Sequence, residues 1–179
     1  MTDLVLTLIG PDRPGLVEAV AQVVADHGGN WLESRMVHLS GKFAGILRVE
    51  VPTDRRRALS QALEGLASNG LRVVAEPVET AGGTTGGGQM MNLELIGLDR
   101  PGLVREISQL LAQHGINVEE LITGRSSAPM SGEMLFRAEA RVKVPAGVDA
   151  HGLRGRLQRL ASDLTVEIRL DDEPLGPGA

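Results

Sequence analysis

Leu8-Ile9-Gly10-Pro11-Asp12-Arg13-Pro14-Gly15-Leu16-Val17 returns 87 residues later as Leu95-Ile96-Gly97-Leu98-Asp99-Arg100-Pro101-Gly102-Leu103-Val104. An apolar run that stops at glycine and restarts behind Asp-Arg-Pro-Gly reads as a buried strand feeding a helix. Its recurrence predicts two copies of one unit. Working outward, the same offset carries Gln22 onto Gln109, Ala25 onto Ala112, His27-Gly28 onto His114-Gly115 and Asn30 onto Asn117. Further along, Leu63 and Leu66-Ala67-Ser68 match Leu157 and Leu160-Ala161-Ser162 at an offset of 94, and Val73 is matched to Val166. The second copy therefore carries about seven extra residues, placed in the turn-rich stretch 126–132.

Each copy reads strand, helix, strand, strand, helix, strand. Leu4 to Ile9 is the first strand, and Pro14 opens a helix with Val17, Val20, Ala21 and Val24 on one face. His27-Gly28-Gly29 ends that helix, with glycine supplying a left-handed cap. Asn30 leads into a second strand, and Ser40-Gly41-Lys42 turns it into a third, in which Leu47, Val49 and Val51 alternate with charged residues. Leu59, Ala62, Leu63 and Leu66 form the second helical stripe, stopped by Asn69-Gly70, and Leu71 to Val78 is the last strand. In copy two, Met134, Phe136, Ala138, Ala140, Val142 and Val144 share one face, and Leu164, Val166, Ile168 and Leu170 alternate in the final strand. One apolar sheet face per copy calls for both helices on that face. The expected fold class is α+β: two ferredoxin-like βαββαβ domains in tandem, with antiparallel sheets. The domains are placed at 1–79 and 90–173, joined by an extended glycine-rich linker at 80–89, with a flexible tail at 174–179. The linker lacks the Gly-Lys-Ser/Thr ending of a phosphate-binding loop.

Composition narrows the function classes. The 179 residues include no cysteine and no tyrosine, so disulfide frameworks, thiolate metal sites and cysteine nucleophiles are excluded. No apolar run reaches the roughly 18 residues a membrane span needs, and Met1-Thr2-Asp3 lacks the basic start of a signal peptide. A cytoplasmic location is expected. The net charge is −5, against the basic face that duplex DNA demands. Aromatic residues at 2% leave no stacking platform for single strands. No direct nucleic-acid binding is expected, and no membrane contact.

The remaining titratable residues suggest structure rather than catalysis. His27 and His114 stand at helix C-termini, where partial positive charge is favoured. His38 and His151 join no His-x-x-x-His or acid–histidine cluster, so no metal is expected. Arg55-Arg56-Arg57 opens an amphipathic helix and reads as a solvated face, and Glu119-Glu120 as an exposed acidic pair. No serine occupies a Gly-x-Ser-x-Gly elbow. Neither catalysis nor a cofactor is expected.

The Asp-Arg-Pro-Gly turn has two readings. Asp12 or Arg13 at the N-cap, with Pro14 near the first helical position, is a sound way to begin any helix. The same arrangement presents unpartnered N–H groups and the positive end of the helix dipole to a carboxylate, with Gly15 leaving the approach open. Gly15 and Gly102 follow proline and are expected to have ordinary helical φ and to tolerate a Cβ. Asn30 and Asn117, just past the helix ends, read as helix C-cap residues.

Gly-x-Asp-Arg-Pro-Gly-Leu-Val, a helix ending in His-Gly-x-Asn and a hairpin ending in Val-Pro together resemble the ACT domain, a small regulatory amino-acid-binding module. The pattern occurs at Gly10–Pro52 and Gly97–Pro145 and the likeness covers nearly the whole chain. Two such domains alone resemble the glycine cleavage system transcriptional repressor family. The resemblance implies a ligand site between paired domains, where the first turn of one domain faces the second strand of another. Carried over by position, it implies ligand contacts from Gly10, Asp12, Arg13, Pro14, Gly15, Leu16 and Asn30, and from Gly97, Asp99, Arg100, Pro101, Gly102, Leu103 and Asn117. It implies a small amino acid, glycine or serine, as ligand, a transcription activator as protein partner, and a possible homodimer. Similar domains precede the catalytic domain of formyltetrahydrofolate deformylase and of some phosphoserine phosphatases. A trans-acting regulatory subunit of an amino-acid or one-carbon enzyme is therefore a second reading, and a ligand-free pairing module a third. Gly29 against Ile116 and Pro11 against Leu98 break the symmetry, so the two sites are expected to differ.

Overall fold

The computed structural model describes residues 1–78, 87–128 and 132–172. Two compact units divide the chain, split between residues 81 and 82. In the first, β1 (Thr2–Pro11), α1 (Leu16–Asp26), β2 (Asn30–Leu39), β3 (Lys42–Val51), α2 (Arg56–Gly65), a 3-10 turn at Leu66–Asn69 and β4 (Arg72–Pro77) follow in order. In the second come β5 (Gly88–Leu98), α3 (Leu103–Gln113), β6 (Asn117–Ser127), β7 (Met134–Pro145), α4 (Ala150–Leu164) and β8 (Val166–Asp172). The sheets run β2-β3-β1-β4 and β6-β7-β5-β8, every pairing antiparallel. This is the expected split βαββαβ arrangement, twice. Residues 79–86, most of the expected linker, and 173–179, which include the expected tail, lie outside the described residues. Gly88 and Gln89, read as linker, are the first residues of β5.

Alternation along the strands decides where the core lies. Leu4, Leu6 and Leu8 of β1 and Leu47, Val49 and Val51 of β3 are buried against Leu16, Val20 and Val24 of α1 and Leu59 and Leu63 of α2. The second unit repeats this with Met91, Leu93 and Leu95 under Ile107, Leu111, Leu153 and Leu157. Both helices of each unit cover one sheet face and leave the other open. No polar residue is buried in either core among the described residues. No described helix is long and apolar enough to cross a membrane.

Three local expectations are corrected. The α1 stripe is Leu16, Val20 and Val24, spaced by four; Val17 is 46% exposed and Ala21 is exposed too. The helix begins later than Pro14 suggests, which rotates Val17 off the core. Leu164 closes α4 and does not belong to the final strand. Val73 is not the counterpart of Val166: Val73 lies opposite Leu8, and Ile168 lies opposite Leu95, so Ile168 takes its place.

Register also places the insertion. Thr2 faces Val51 and Gln89 faces Val144, an offset of 93 between equivalent β3 and β7 residues. The β6–β7 hairpin therefore holds six of the extra residues. The seventh falls between β7 and α4. Where β2 and β3 join, Ser40 and Gly41 have φ of 49° and 75°, the two-residue turn whose twist suits a tight hairpin. Both units carry a bulge at the same place, between Trp31 and Glu33 and between Val118 and Glu120.

The stripe assignment is checked by chemical denaturation of two neighbours. Leu16→Ala is expected to cost about 2–5 kcal/mol through loss of buried side-chain volume. Val17→Ala should stay within about 0.5 kcal/mol, as for an ordinary surface position.

Candidate functional site

The turn between β1 and α1 leaves the middle of the sheet, because β1 is flanked by β3 and β4. Gly10 is needed for that exit: a Cβ there would stand 2.8 Å from the Gly70 carbonyl oxygen. At the equivalent Gly97 a Cβ would come within 2.3 Å of Val166. Beyond Gly10 the turn is tied on two sides. The Asp12 N–H donates to the Gly41 carbonyl at 3.0 Å, and Arg13 donates to the Asn69 carbonyl. His38 Nε2 lies 3.6 Å from Asp12 Oδ2 and accepts the Gly41 N–H at 3.3 Å.

Helix α1 then starts from Gly15, whose φ is +89°, and α3 from Gly102 at +97°. This overturns the expectation of ordinary helical φ and of tolerance for a Cβ. Both glycines lie in the left-handed region, where an L side chain is strained. The physical reason is the strand exit: the chain leaves extended geometry at Pro14 or Pro101 and must swing before the helix begins. Neither Asp12 nor Arg13 is the N-cap, and no side chain caps either helix. Gly15 and Gly102 offer their carbonyls to Ala19 and Glu106, at 2.9 and 3.0 Å. The N–H groups of the first turn have no partner within the helix.

The second turn differs in its partners. The Asp99 N–H donates to the Met134 carbonyl at 2.8 Å, repeating the hairpin tie. Asp99 Oδ2, however, is 2.7 Å from Arg125 Nε, where Asp12 has only a histidine. Arg100 turns onto Glu106 through two bonds, 3.4 and 3.1 Å, instead of reaching the neighbouring loop. Glu106 in turn stands 3.5 Å from the place a Cβ on Gly102 would occupy; at Gly15 the corresponding neighbour is Glu18 at 3.9 Å. A carboxylate of the chain therefore stands near each helix N-terminus, held by an arginine in the second unit and held by no described side chain in the first.

Asn30 and Asn117 are the first residues of β2 and β6. The C-cap reading is overturned, since His27 and His114 are the C-caps and Gly28 and Gly115 take the left-handed residue after them. Asn30 Nδ2 donates to Glu50 Oε1 at 3.3 Å and Asn117 Nδ2 to Glu119 Oε1 at 2.7 Å. Within one unit the asparagine and the Asp-Arg-Pro-Gly turn lie at opposite ends of an 11-residue helix, about 16 Å apart at 1.5 Å per residue. No single unit brings them together. His27 and His114 have the structural role read for them: Nδ1 donates to the carbonyl four residues back, at 2.8 and 2.9 Å.

His38, Glu18, Glu106 and Arg125 were missed by sequence reasoning. Glu18 and Glu106 carried a usable signal, as acidic residues in a first helical turn. His38 and Arg125 carried none, because hairpin pairing brings them to the turn. A concavity of about 500 Å³ opens on the uncovered sheet face of the second unit, bordered by Glu94, Glu120, Glu139, Arg141 and Asp171. It contains no turn residue. No group of three or more acidic or histidine side chains among the described residues is arranged to hold a metal.

Residues 2–75 match one ACT domain model and residues 91–150 another. The chain belongs to the ACT-domain family. It carries two ACT domains in tandem, and the family is one of regulatory domains. The glycine cleavage system transcriptional repressor of Escherichia coli K12 is 22% identical over 166 residues, which is 92% of this chain and 86% of that one. An unknown protein from Galdieria sulphuraria superposes with a TM-score of 0.85 at 27% identity, covering 97% of this chain and 99% of the other. A structure provisionally described as a glycine cleavage system transcriptional repressor gives 0.71 at 21% identity, covering 95% and 96%. The tandem ACT fold is shared along nearly the full length of the two solved structures.

The glycine geometry is open to a direct check by urea denaturation. Gly15→Val is expected to lower the stability of the first unit by about 1–3 kcal/mol, the cost of holding an L side chain at left-handed φ. Gly15→Asn should cost less than about 1 kcal/mol, because asparagine visits that region readily.

Proposed function

We propose that this tandem ACT protein is a non-catalytic amino-acid sensor that acts in transcriptional control through a protein partner. The observation that carries the reading is the pair of glycine-started helices, each presenting first-turn N–H groups that no side chain caps. Such a group of donors at the positive end of a helix dipole suits a carboxylate. The ligand is a small amino acid, with glycine or serine the first to test on the strength of the repressor relative. The contacts lie among Gly10, Asp12, Arg13, Pro14, Gly15, Leu16 and Asn30 and among Gly97, Asp99, Arg100, Pro101, Gly102, Leu103 and Asn117.

Of the two sites, the first is the more accessible. Glu106 is fixed beside Gly102 by Arg100, and an incoming carboxylate meets a like charge there. Glu18 has no such anchor and swings aside. The partner is a transcription activator, and the chain works in the cytoplasm without touching DNA itself: its net charge is −5, and among the described residues every helix belongs to one of the two ACT folds.

Titration calorimetry of the full chain with glycine, serine and a panel of other amino acids tests the reading. Binding is expected for a small amino acid. Gly15→Asn should weaken it at least tenfold with the fold intact, and Gly102→Asn should have the smaller effect. Absence of heat with every amino acid, or unchanged affinity in both variants, contradicts the proposal. Purified chain alone should leave duplex DNA unshifted in a mobility assay at physiological salt, and a salt-sensitive shift would overturn the partner-mediated reading.

A further inference from the structure

The two units share a fold but present opposite chemistry on their uncovered sheet faces. On the first, Ile9, Val37, Ile46 and Val74 are 45, 57, 50 and 49% exposed. Strand register puts them side by side: Val74, Thr7, Ile46 and Arg35 form one row across the sheet, and Arg72, Ile9, Ala44 and Val37 the next. In the second unit the first of these rows reads Arg169, Glu94, Glu139 and Ile122. Arg137 there meets Glu94 at 3.2 Å and Glu139 at 2.9 Å, and Arg169 meets Glu167 at 2.8 Å. Ion pairs thus occupy the centre of that face, with Ile122, 60% exposed, at its β6 edge.

The first face leaves charges unsatisfied as well as apolar groups exposed. Glu33, Lys42, Arg72 and Glu76 make no ion pair or side-chain hydrogen bond among the described residues. They are sorted by sign. Asp3, Glu33, Glu50 and Glu76 stand toward one end of the strands, with Arg48 held by Asp3 at 3.8 Å. Arg35, Lys42 and Arg72 stand at the middle and the other end. The face is an apolar centre between an acidic and a basic end.

We propose that this face is a self-association surface, stacking on the same face of a second copy of the chain. Two twofold axes can bring identical sheet faces together. An axis along the strands stacks acid on acid and is repulsive. An axis across the strands, through the Thr7–Ile46 row, reverses one sheet relative to the other. It places Ile46 against Ile46, Val74 against Val74 and Val5 against Ile9, with Glu76 toward Arg72 and Glu50 toward Lys42 of the second copy; the one like-charge match on the axis, Arg35 with Arg35, falls on the edge strand β2, at the rim of the contact. Sheets stacked face to face cross at about −30°, so the central rows keep these matches best. An isologous contact of this kind closes as a dimer and leaves no further apolar face to propagate. Four strands spaced about 4.8 Å, over five rows about 6.8 Å apart, give roughly 500 Å² per copy. The total, roughly 1,000 Å², is at the lower bound of a specific interface. The contact is therefore a weak one, dissociating at micromolar concentration. The equivalent face of the second unit has Glu94 and Glu139 where the first has Thr7 and Ile46, so it lacks the apolar pairing on the axis.

Sedimentation velocity of the full chain across a concentration series, from about 1 to 200 μM, tests this. The wild type is expected to show a reversible doubling of mass. Ile46→Asp, which sets two carboxylates against each other on the axis, should weaken that step at least tenfold, with circular dichroism unchanged. Arg72→Glu should weaken it too, and Arg72→Glu with Glu76→Arg should restore it, because the exchange rebuilds both contacts. Glu139→Lys, at the matching place in the second unit, should leave it unchanged. A wild type with no concentration-dependent mass, a step unaffected by Ile46→Asp, or a double exchange that fails to restore it would overturn the proposal. None of these outcomes depends on whether an amino acid binds.

Discussion

Everything at the candidate site follows from how a central strand hands over to a helix. β1 and β5 are hydrogen-bonded on both sides, so their ends have no lateral freedom. The helix that follows must nonetheless fold back over the apolar sheet face. Gly15 and Gly102 make that change of direction with left-handed φ, and Gly10 and Gly97 let the strand ends pass close to Gly70 and Val166. With glycine at the N-cap there is no side chain to cap the helix. The donors left free by this constraint are the ones proposed to take a carboxylate. The fold and the proposed function thus share one cause.

The two domains solve the same backbone problem and then diverge in side-chain chemistry. Both fasten the turn aspartate's N–H to the hairpin or the strand that follows it. The first leaves Asp12 beside an exposed histidine and sends Arg13 to the Asn69 carbonyl. The second surrounds its turn with Arg125 and a doubly bonded Arg100–Glu106 pair. The sheet faces diverge in the same sense, apolar in the first unit and ion-paired in the second. A duplicated unit whose halves differ at both surfaces is suited to dividing labour between them.

Much of the fold was legible because strand alternation and the repeat each constrain it independently. Leu47, Val49 and Val51 alternate without interruption, and the structure buries all three. The α1 stripe was misread because Val17 is apolar and lies one residue from Leu16, so periodicity alone could not choose between them. The choice is made by where the helix starts, and Gly15 sets that through a backbone angle that composition does not reveal. Val73 was paired with Val166 for a related reason. Helix-to-strand spacing differs between copies, and only hydrogen-bond register identifies Ile168 as the counterpart. At the site, the turn residues were legible as a motif. Glu18 and Glu106 were legible only as acidic residues of a first helical turn, and the cross-hairpin partners His38 and Arg125 were not legible at all, since hairpin pairing brings them to the turn.

The central claim is that main-chain N–H groups behind Gly15 and Gly102 receive a ligand carboxylate. Nitrogen–proton correlation spectra of the uniformly labelled chain, recorded while glycine or serine is added, observe those groups one by one. The account expects saturable shifts concentrated on the amides of residues 15–18, with weaker ones on 102–105 and on the side-chain amides of Asn30 and Asn117. Shifts confined to other surfaces, such as the open sheet face bordered by Glu94 and Glu139, or no saturable shift with any amino acid tested, would contradict it.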